Sequence, residues 1–85
     1  MSSRPHQDDS AAWRREVGAN IRRVRREEGL TQAALAERAG LSTGYISLIE
    51  QGHANPRLET LSVLAEALET SPVDLLRSKK GDLSG

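Results

Sequence analysis

Between Arg14 and Arg26 the chain carries six arginines, at positions 14, 15, 22, 23, 25 and 26, against a single carboxylate, Glu16. Guanidinium groups at that density are suited to holding anions, since each is permanently charged and offers a planar fork of donors. A second group of hydrogen-bonding side chains lies in residues 31–52, TQAALAERAGLSTGYISLIEQG: the hydroxyls of Thr31, Thr43, Tyr45 and Ser47 and the amide of Gln32. Covalent chemistry has no support. The chain shows no Gly-rich phosphate loop, no nucleophile elbow and no paired His and carboxylate motif. Glu16, Glu37, Glu59, Glu66 and Glu69 fall where helices carry solvated glutamates, and a chain of 85 residues leaves little room for a substrate pocket. Two histidines, His6 and His53, and no cysteine make a metal site improbable, and no cofactor is expected. The chemistry on offer is non-covalent recognition, and the chain is read as not an enzyme.

Those side chains must be held by short helices. Within residues 31–52 apolar positions fall at Leu35, Ala36, Ala39 and Leu41, then at Ile46 and Ile49, two helical stripes parted by Gly40-Leu41-Ser42. Thr31 and Ser42 are hydroxyl N-caps, and Gly40 and Gly52 are left-handed stops. With Ile46 and Ile49 turned inward, Thr43, Gly44, Ser47 and Leu48 lie on the solvent side of the later helix. Upstream, Trp13, Val17, Ile21 and Val24 recur at helical spacing from about Ala11 to Glu28, with Ser10 as the expected N-cap and Gly29 as the stop. Gly18 beside that stripe points to a close helix approach. Downstream, Leu58, Leu61, Leu64, Ala65 and Leu68 mark a helix over about 56–69, with Asn55 or Arg57 as its cap. Ser71-Pro72-Val73-Asp74 reads as a capping box opening a last short helix over 72–77.

The expected architecture is therefore all-α: a compact five-helix bundle with helices about 11–28, 32–39, 43–51, 56–69 and 72–77. Residues 1–10 read as a flexible N-terminal arm, 11–77 as one domain and 78–85 as a disordered tail. Only Trp13 and Tyr45 are aromatic, so the core must be aliphatic. No apolar run approaches the ~20 residues a bilayer span needs, and no signal-peptide pattern follows Met1, so a soluble, cytoplasmic protein without a membrane partner is expected. The formal net charge is zero, which taken alone argues against nucleic acid. The distribution argues otherwise, because from Glu27 to Glu69 seven glutamates face only Arg38 and Arg57, leaving the early arginines as one pole of a charge asymmetry.

The run IRRVRREEGLTQAALAERAGLSTGYISLIEQGHANPRLETLSVLAEAL resembles the helix-turn-helix domain of the phage repressor and Cro type, also called xenobiotic-response-element-like, a class of small bacterial transcription regulators. The resemblance covers about Trp13 to Leu76. It rests on Ile21-Arg22 and Arg25 before Gly29, Leu30-Thr31-Gln32, Leu35-Ala36, Gly40, Ile46, Ile49-Glu50, Gly52, Pro56, Leu61 and Ala65.

What the resemblance implies is a repressor-like fold whose third helix enters the DNA major groove while the second crosses the backbone above it. Thr43, Gly44, Ser47 and Leu48 would then be the base-reading positions. Hydroxyls serve several bases and Leu48 offers apolar contact only, so direct readout is modest, with strict specificity coming from dimerisation or DNA shape. Phosphate contacts would come from Arg22, Thr31, Gln32, Tyr45, His53 and Asn55, with His53 strengthening its contact when protonated. Arg25 and Glu50 would form a structural ion pair fixing the first helix to the third. Leu68, Val73, Leu75 and Leu76 are the candidates for a homodimer interface. The function implied is sequence-specific DNA binding by a homodimer on an inverted-repeat operator, repressing transcription as a regulator of bacterial or phage type, nucleoid-associated when bound, with contact to RNA polymerase open. Two alternatives stand beside it: a protein-interaction adaptor built on the same fold, and the DNA-binding part of a larger effector-responsive regulator.

Overall fold

The computed structural model describes residues 4–77, and for residues 4–10 the backbone alone. The expected disordered tail, 78–85, lies outside the described residues. Five helices and no strand occur among the described residues: α1 (Arg4–Glu27), α2 (Gln32–Ala39), α3 (Thr43–Glu50), α4 (Leu58–Ala67) and α5 (Pro72–Leu76). Helix α1 packs on α3 and α5, α2 packs on α3 and α4, and α4 closes on α5.

Local signals fix most of the boundaries. The Thr31 hydroxyl accepts from the Ala34 amide at 3.0 Å, Ser42 accepts from Tyr45 at 3.1 Å and Ser71 from Asp74 at 3.3 Å. At the other ends, α1 to α4 all close on a left-handed residue flanked by paired backbone bonds, such as Leu41 N to Ala36 O and Gly40 N to Glu37 O after α2. Gly29, Gly40 and Gly52 supply that residue for the first three, and Glu69 at φ 60° supplies it for α4.

Six boundaries differ from the sequence expectation, three of them at the C-terminal ends of α1, α4 and α5, which stop at Glu27, Ala67 and Leu76 rather than at 28, 69 and 77. Helix α1 begins at Arg4 and not near Ala11, so residues 4–10 are helical backbone rather than a flexible arm, and Ser10 lies inside the helix rather than capping it. Pro5 in the first turn costs nothing there, because the first amides of a helix have no intrahelical acceptor. Helix α4 begins at Leu58, its N-cap is Arg57 and no side chain caps it, so Asn55 is not the cap. Pro56 is instead buried ahead of the helix. Finally, α3 stops at Glu50, with Gln51 as its C-cap.

The core is aliphatic: Val17 and Ile21 of α1, Leu35 and Ala36 of α2, Ile46 and Ile49 of α3, Leu61, Leu64 and Ala65 of α4, with Leu68 and Leu75. Trp13 departs from the expected stripe and is 37% exposed, lying one turn ahead of the first core position, Val17. Two special positions on α1 set how tightly the helices approach. A Cβ at Gly18 would overlap the carbonyl oxygens of Ile49 and Glu50, so glycine there permits the α1–α3 crossing. Asn20 is buried on the same helix, and its amide donates to the carbonyls of Leu75 at 2.9 Å and Arg77 at 2.8 Å. Those are among the carbonyls a helix leaves unsatisfied at its C-terminus, so one side chain ties α1 to the end of α5.

Candidate nucleic-acid interface

Helices α2 and α3 form a helix-turn-helix whose turn, Gly40-Leu41-Ser42, combines the left-handed end of α2 with the hydroxyl cap of α3. Ile46 and Ile49 are buried, which leaves Thr43 and Gly44 exposed, Ser47 half-buried and Leu48 46% exposed on the outward side. All four expected reading positions therefore reach solvent on one short helix. Gly44 faces open space, since a Cβ built there meets no atom within 4 Å. The face also holds a residue that sequence reasoning missed. Gln51 is exposed, and its Nε2 donates to Ser47 Oγ at 2.8 Å. The signal was the four-residue spacing from Ser47, which puts the two side chains together on consecutive turns.

The other end of α3 is locked. Arg25 donates from Nε to Glu50 Oε2 at 2.7 Å and from Nη2 to Oε1 at 3.0 Å, and its Nη1 donates to the Leu30 carbonyl at 2.8 Å. Gln32 Nε2 adds a bond to Glu50 Oε1 at 3.0 Å. The Glu50 side chain is only 2% exposed. A carboxylate so deeply placed is tolerable because a planar guanidinium matches it with two bonds and an amide supplies a third. The arrangement joins the end of α1, the α1–α2 turn, the start of α2 and the end of α3 through one buried group.

Gln32 thus spends one amide hydrogen inside the protein and keeps its second hydrogen and its carbonyl oxygen. The remaining expected phosphate contacts are spread over α1, the start of α2, α3 and the loop after it. Thr31 is exposed at the start of α2, and Tyr45 is half-buried against the core in the first turn of α3. His53 and Asn55 are exposed in the loop after α3, and Arg22 is exposed on α1. Gly52 ahead of that loop is constrained twice, by φ +80° and by Arg15, whose Cγ would lie 2.9 Å from any Cβ there. Arg14 Nε reaches the Gly52 carbonyl at 3.4 Å.

The dimer candidates divide. Leu68 and Leu75 are core residues, 1% and 0% exposed, so they are unavailable to a partner chain. Leu76 is half-buried against the core, and Val73 is 62% exposed. Beside them, Asp74 accepts from the Thr70 hydroxyl at 2.8 Å. That bond is the main cause that holds the Asp74 carboxyl below its ordinary value of 3.8; desolvation opposes it, and the Ser71 bonds and the nearby Arg77 add to the lowering. Among the described residues no helix is long and apolar enough to cross a membrane.

The geometry is that of a helix-turn-helix, and comparison with known proteins agrees. The helix-turn-helix family model HTH_3 matches residues 21–75. The chain belongs to this family of transcription regulators, whose members bind DNA and are not enzymes. It is 48% identical over 63 residues to y4dJ, an HTH-type transcriptional regulator of Sinorhizobium fredii, covering 74% of this chain and 82% of that one. It is also 48% identical over 52 residues to the immunity repressor of Bacillus phage phi105, covering 61% of this chain but only 36% of the repressor. Among solved structures, the restriction-modification controller protein C.AhdI of Aeromonas hydrophila superimposes with a TM-score of 0.74 at 34% identity, over 75% of this chain and 97% of that one. A hypothetical transcription factor from Neisseria, NHTF, gives a TM-score of 0.81 at 29% identity, over 85% and 83%.

Proposed function

We propose that this chain is a cytoplasmic, sequence-specific transcriptional repressor that lays α3 in the major groove of an operator and acts as a homodimer on an inverted repeat. The observation that carries this reading is the division of α3 into an exposed polar half and a buried, locked end. The major groove, roughly 12 Å wide, accepts one helix. Thr43, Ser47 and the Ser47–Gln51 pair would meet base edges, and Gly44, with no side chain, would let the backbone come close. Leu48 would press on a thymine methyl. Arg22, Thr31, Gln32, Tyr45, His53 and Asn55 would set the register through phosphate.

Support for repression comes from the relatives, one of which is an immunity repressor of a phage. Dimerisation would use the exposed Val73 with the outer edge of Leu76, placing half-sites about 10 base pairs apart. Selection of bound sequences from a random duplex library tests the whole reading, and a palindrome with that spacing is expected. Alanine at Thr43 and Ser47 together should weaken the selected operator by tenfold or more, from about 1–3 kcal/mol per lost base contact, while leaving random DNA nearly unaffected. Equal losses on both would overturn the assignment of these residues to base reading.

A further inference from the structure

We infer that Arg15 and Arg26 of α1 join Arg22, already proposed as an anchor, in one continuous track for the phosphate backbone of duplex DNA; the inference rests on the DNA-binding reading and extends its footprint. All three side chains are exposed. None of them takes part in a hydrogen bond or ion pair with another described residue. Other arginines differ: Arg23 holds Glu27, Arg25 holds Glu50, Arg38 donates to the Ala67 carbonyl and Arg77 meets Asp74. With Ala19 between them, Arg15, Arg22 and Arg26 follow the spacing i, i+4, i+7, i+11. At about 100° per residue this keeps them within about 40° of one line along the helix.

The sequence leaves this line without a counter-charge. At three and four residues on either side, Arg15 has Ala11, Ala12, Gly18 and Ala19; Arg22 has Gly18, Ala19, Arg25 and Arg26; Arg26 has Arg22, Arg23, Gly29 and Leu30. No acid occupies any position from which it could pair along the helix, and Arg22 and Arg26 stand at the spacing where like charges repel. The surrounding fold does not neutralise them either. Arg22 and Arg26 line a groove of about 400 Å³ with Ala19, Arg23, Glu27 and Glu50. Its two carboxylates are already engaged, Glu27 by Arg23 and Glu50 by Arg25 and Gln32.

The track is also in the right place. Gly18, on the same side of α1, abuts the last carbonyls of α3, and Arg15 packs against Gly52 at the start of the following loop. The three cations therefore run from the α3–α4 loop, which carries His53 and Asn55, toward the start of α2, which carries Gln32. At 1.5 Å per residue they are separated by about 10 Å and about 6 Å along the helix axis. A small anion would meet one or two of them, whereas a polyanion with regularly repeated charge meets all three. Duplex DNA is the occupant that α3 already brings to this side of the molecule.

The test measures binding of the full chain to a random-sequence duplex of about 25 base pairs across a salt series, since each phosphate contact contributes about 0.9 to the slope of log K against log salt. The variants are Arg15→Gln/Arg22→Gln/Arg26→Gln and the corresponding triple lysine variant, with circular dichroism melts to establish that each folds. The glutamine variant is expected to flatten the slope by about 2 to 3, and the lysine variant to keep it. A folded glutamine variant with the slope of the parent chain overturns the track and leaves the DNA reading standing. A lysine variant that loses the slope as fully as the glutamine one also overturns it, because shape and not charge would then be responsible. A parent chain with no salt-dependent binding removes both the track and the reading beneath it.

Discussion

The same substitution, glycine to alanine, is expected to have opposite effects at two helical positions. At Gly44, in the first turn of α3, a Cβ meets nothing within 4 Å and the backbone is not in the left-handed region. Alanine there removes unfolded-state freedom and should stabilise the fold by about 0.4–1 kcal/mol, or about 2–8 °C in Tm for a domain of this size. At Gly18, on α1, a Cβ overlaps the Ile49 carbonyl and lies 2.9 Å from that of Glu50. Those neighbours are backbone, so α1 must move off α3. Overpacking of that kind costs about 1–3 kcal/mol, against a gain of up to about 1 kcal/mol in helix propensity, for a net loss that lowers Tm by several degrees. Urea and thermal melts of the two variants read both signs directly. The reasoning about the α1–α3 crossing fails if Gly18→Ala melts at or above the parent. Gly44→Ala has a second readout: the more stable protein should bind its operator more weakly, because in the proposed complex the added methyl would stand where the helix backbone approaches DNA. Unchanged operator affinity would mean that Gly44 does not approach the bases.

Three other outcomes follow from single contacts. Arg25→Met leaves the buried Glu50 carboxylate with only the Gln32 amide, so it should cost about 3–5 kcal/mol, and Arg25→Met/Glu50→Leu should recover a large part of that. A double-mutant cycle by chemical denaturation measures the coupling, and a loss under about 1 kcal/mol for the single variant would contradict the burial of the pair. Glu69→Gly relieves a non-glycine residue at φ 60°, where an L side chain costs about 1–2 kcal/mol. It should therefore raise Tm, and a lower Tm would count against the left-handed end of α4. The third concerns acid. Because the carboxyl of Asp74 is held below 3.8 in the folded chain, chiefly by Thr70, its contribution is fully present above that value and disappears as pH falls through the lower folded value. Thr70→Val should therefore lower Tm at pH 5 by more than it does near pH 2.5, and a gap that stays constant with pH would show that the hydroxyl acts through packing alone.

The parts of the fold legible in the sequence are those whose cause is local. Thr31, Ser42, Gly40 and Gly52 each act within four residues of their own position, so spacing alone placed α2, the turn and α3. The inward direction of Ile46 and Ile49 then fixed the outward direction of Thr43, Gly44, Ser47 and Leu48. Where the cause lies across the fold, local pattern misled. Asn20 stands between Val17, Ile21 and Val24 and reads as a surface residue until α5, more than fifty positions away, delivers the carbonyls of Leu75 and Arg77 to its amide. Leu75 and Val73 are both apolar residues in a five-residue helix, too short for a periodicity to say that the first is core and the second is exposed. Gln51 escaped because it stands at the last position of the expected helix, and its link to Ser47 is a matter of side-chain direction. Arg15 and Arg26 look like surplus surface charge in a list of six arginines. They stand out only when the partners of Arg23 and Arg25 are known, because no side chain among the described residues pairs with them. The exposed side of α3 is thus written locally and its surroundings are written by packing. Sequence alone therefore locates where such a protein touches DNA more readily than how far along the backbone the contact extends.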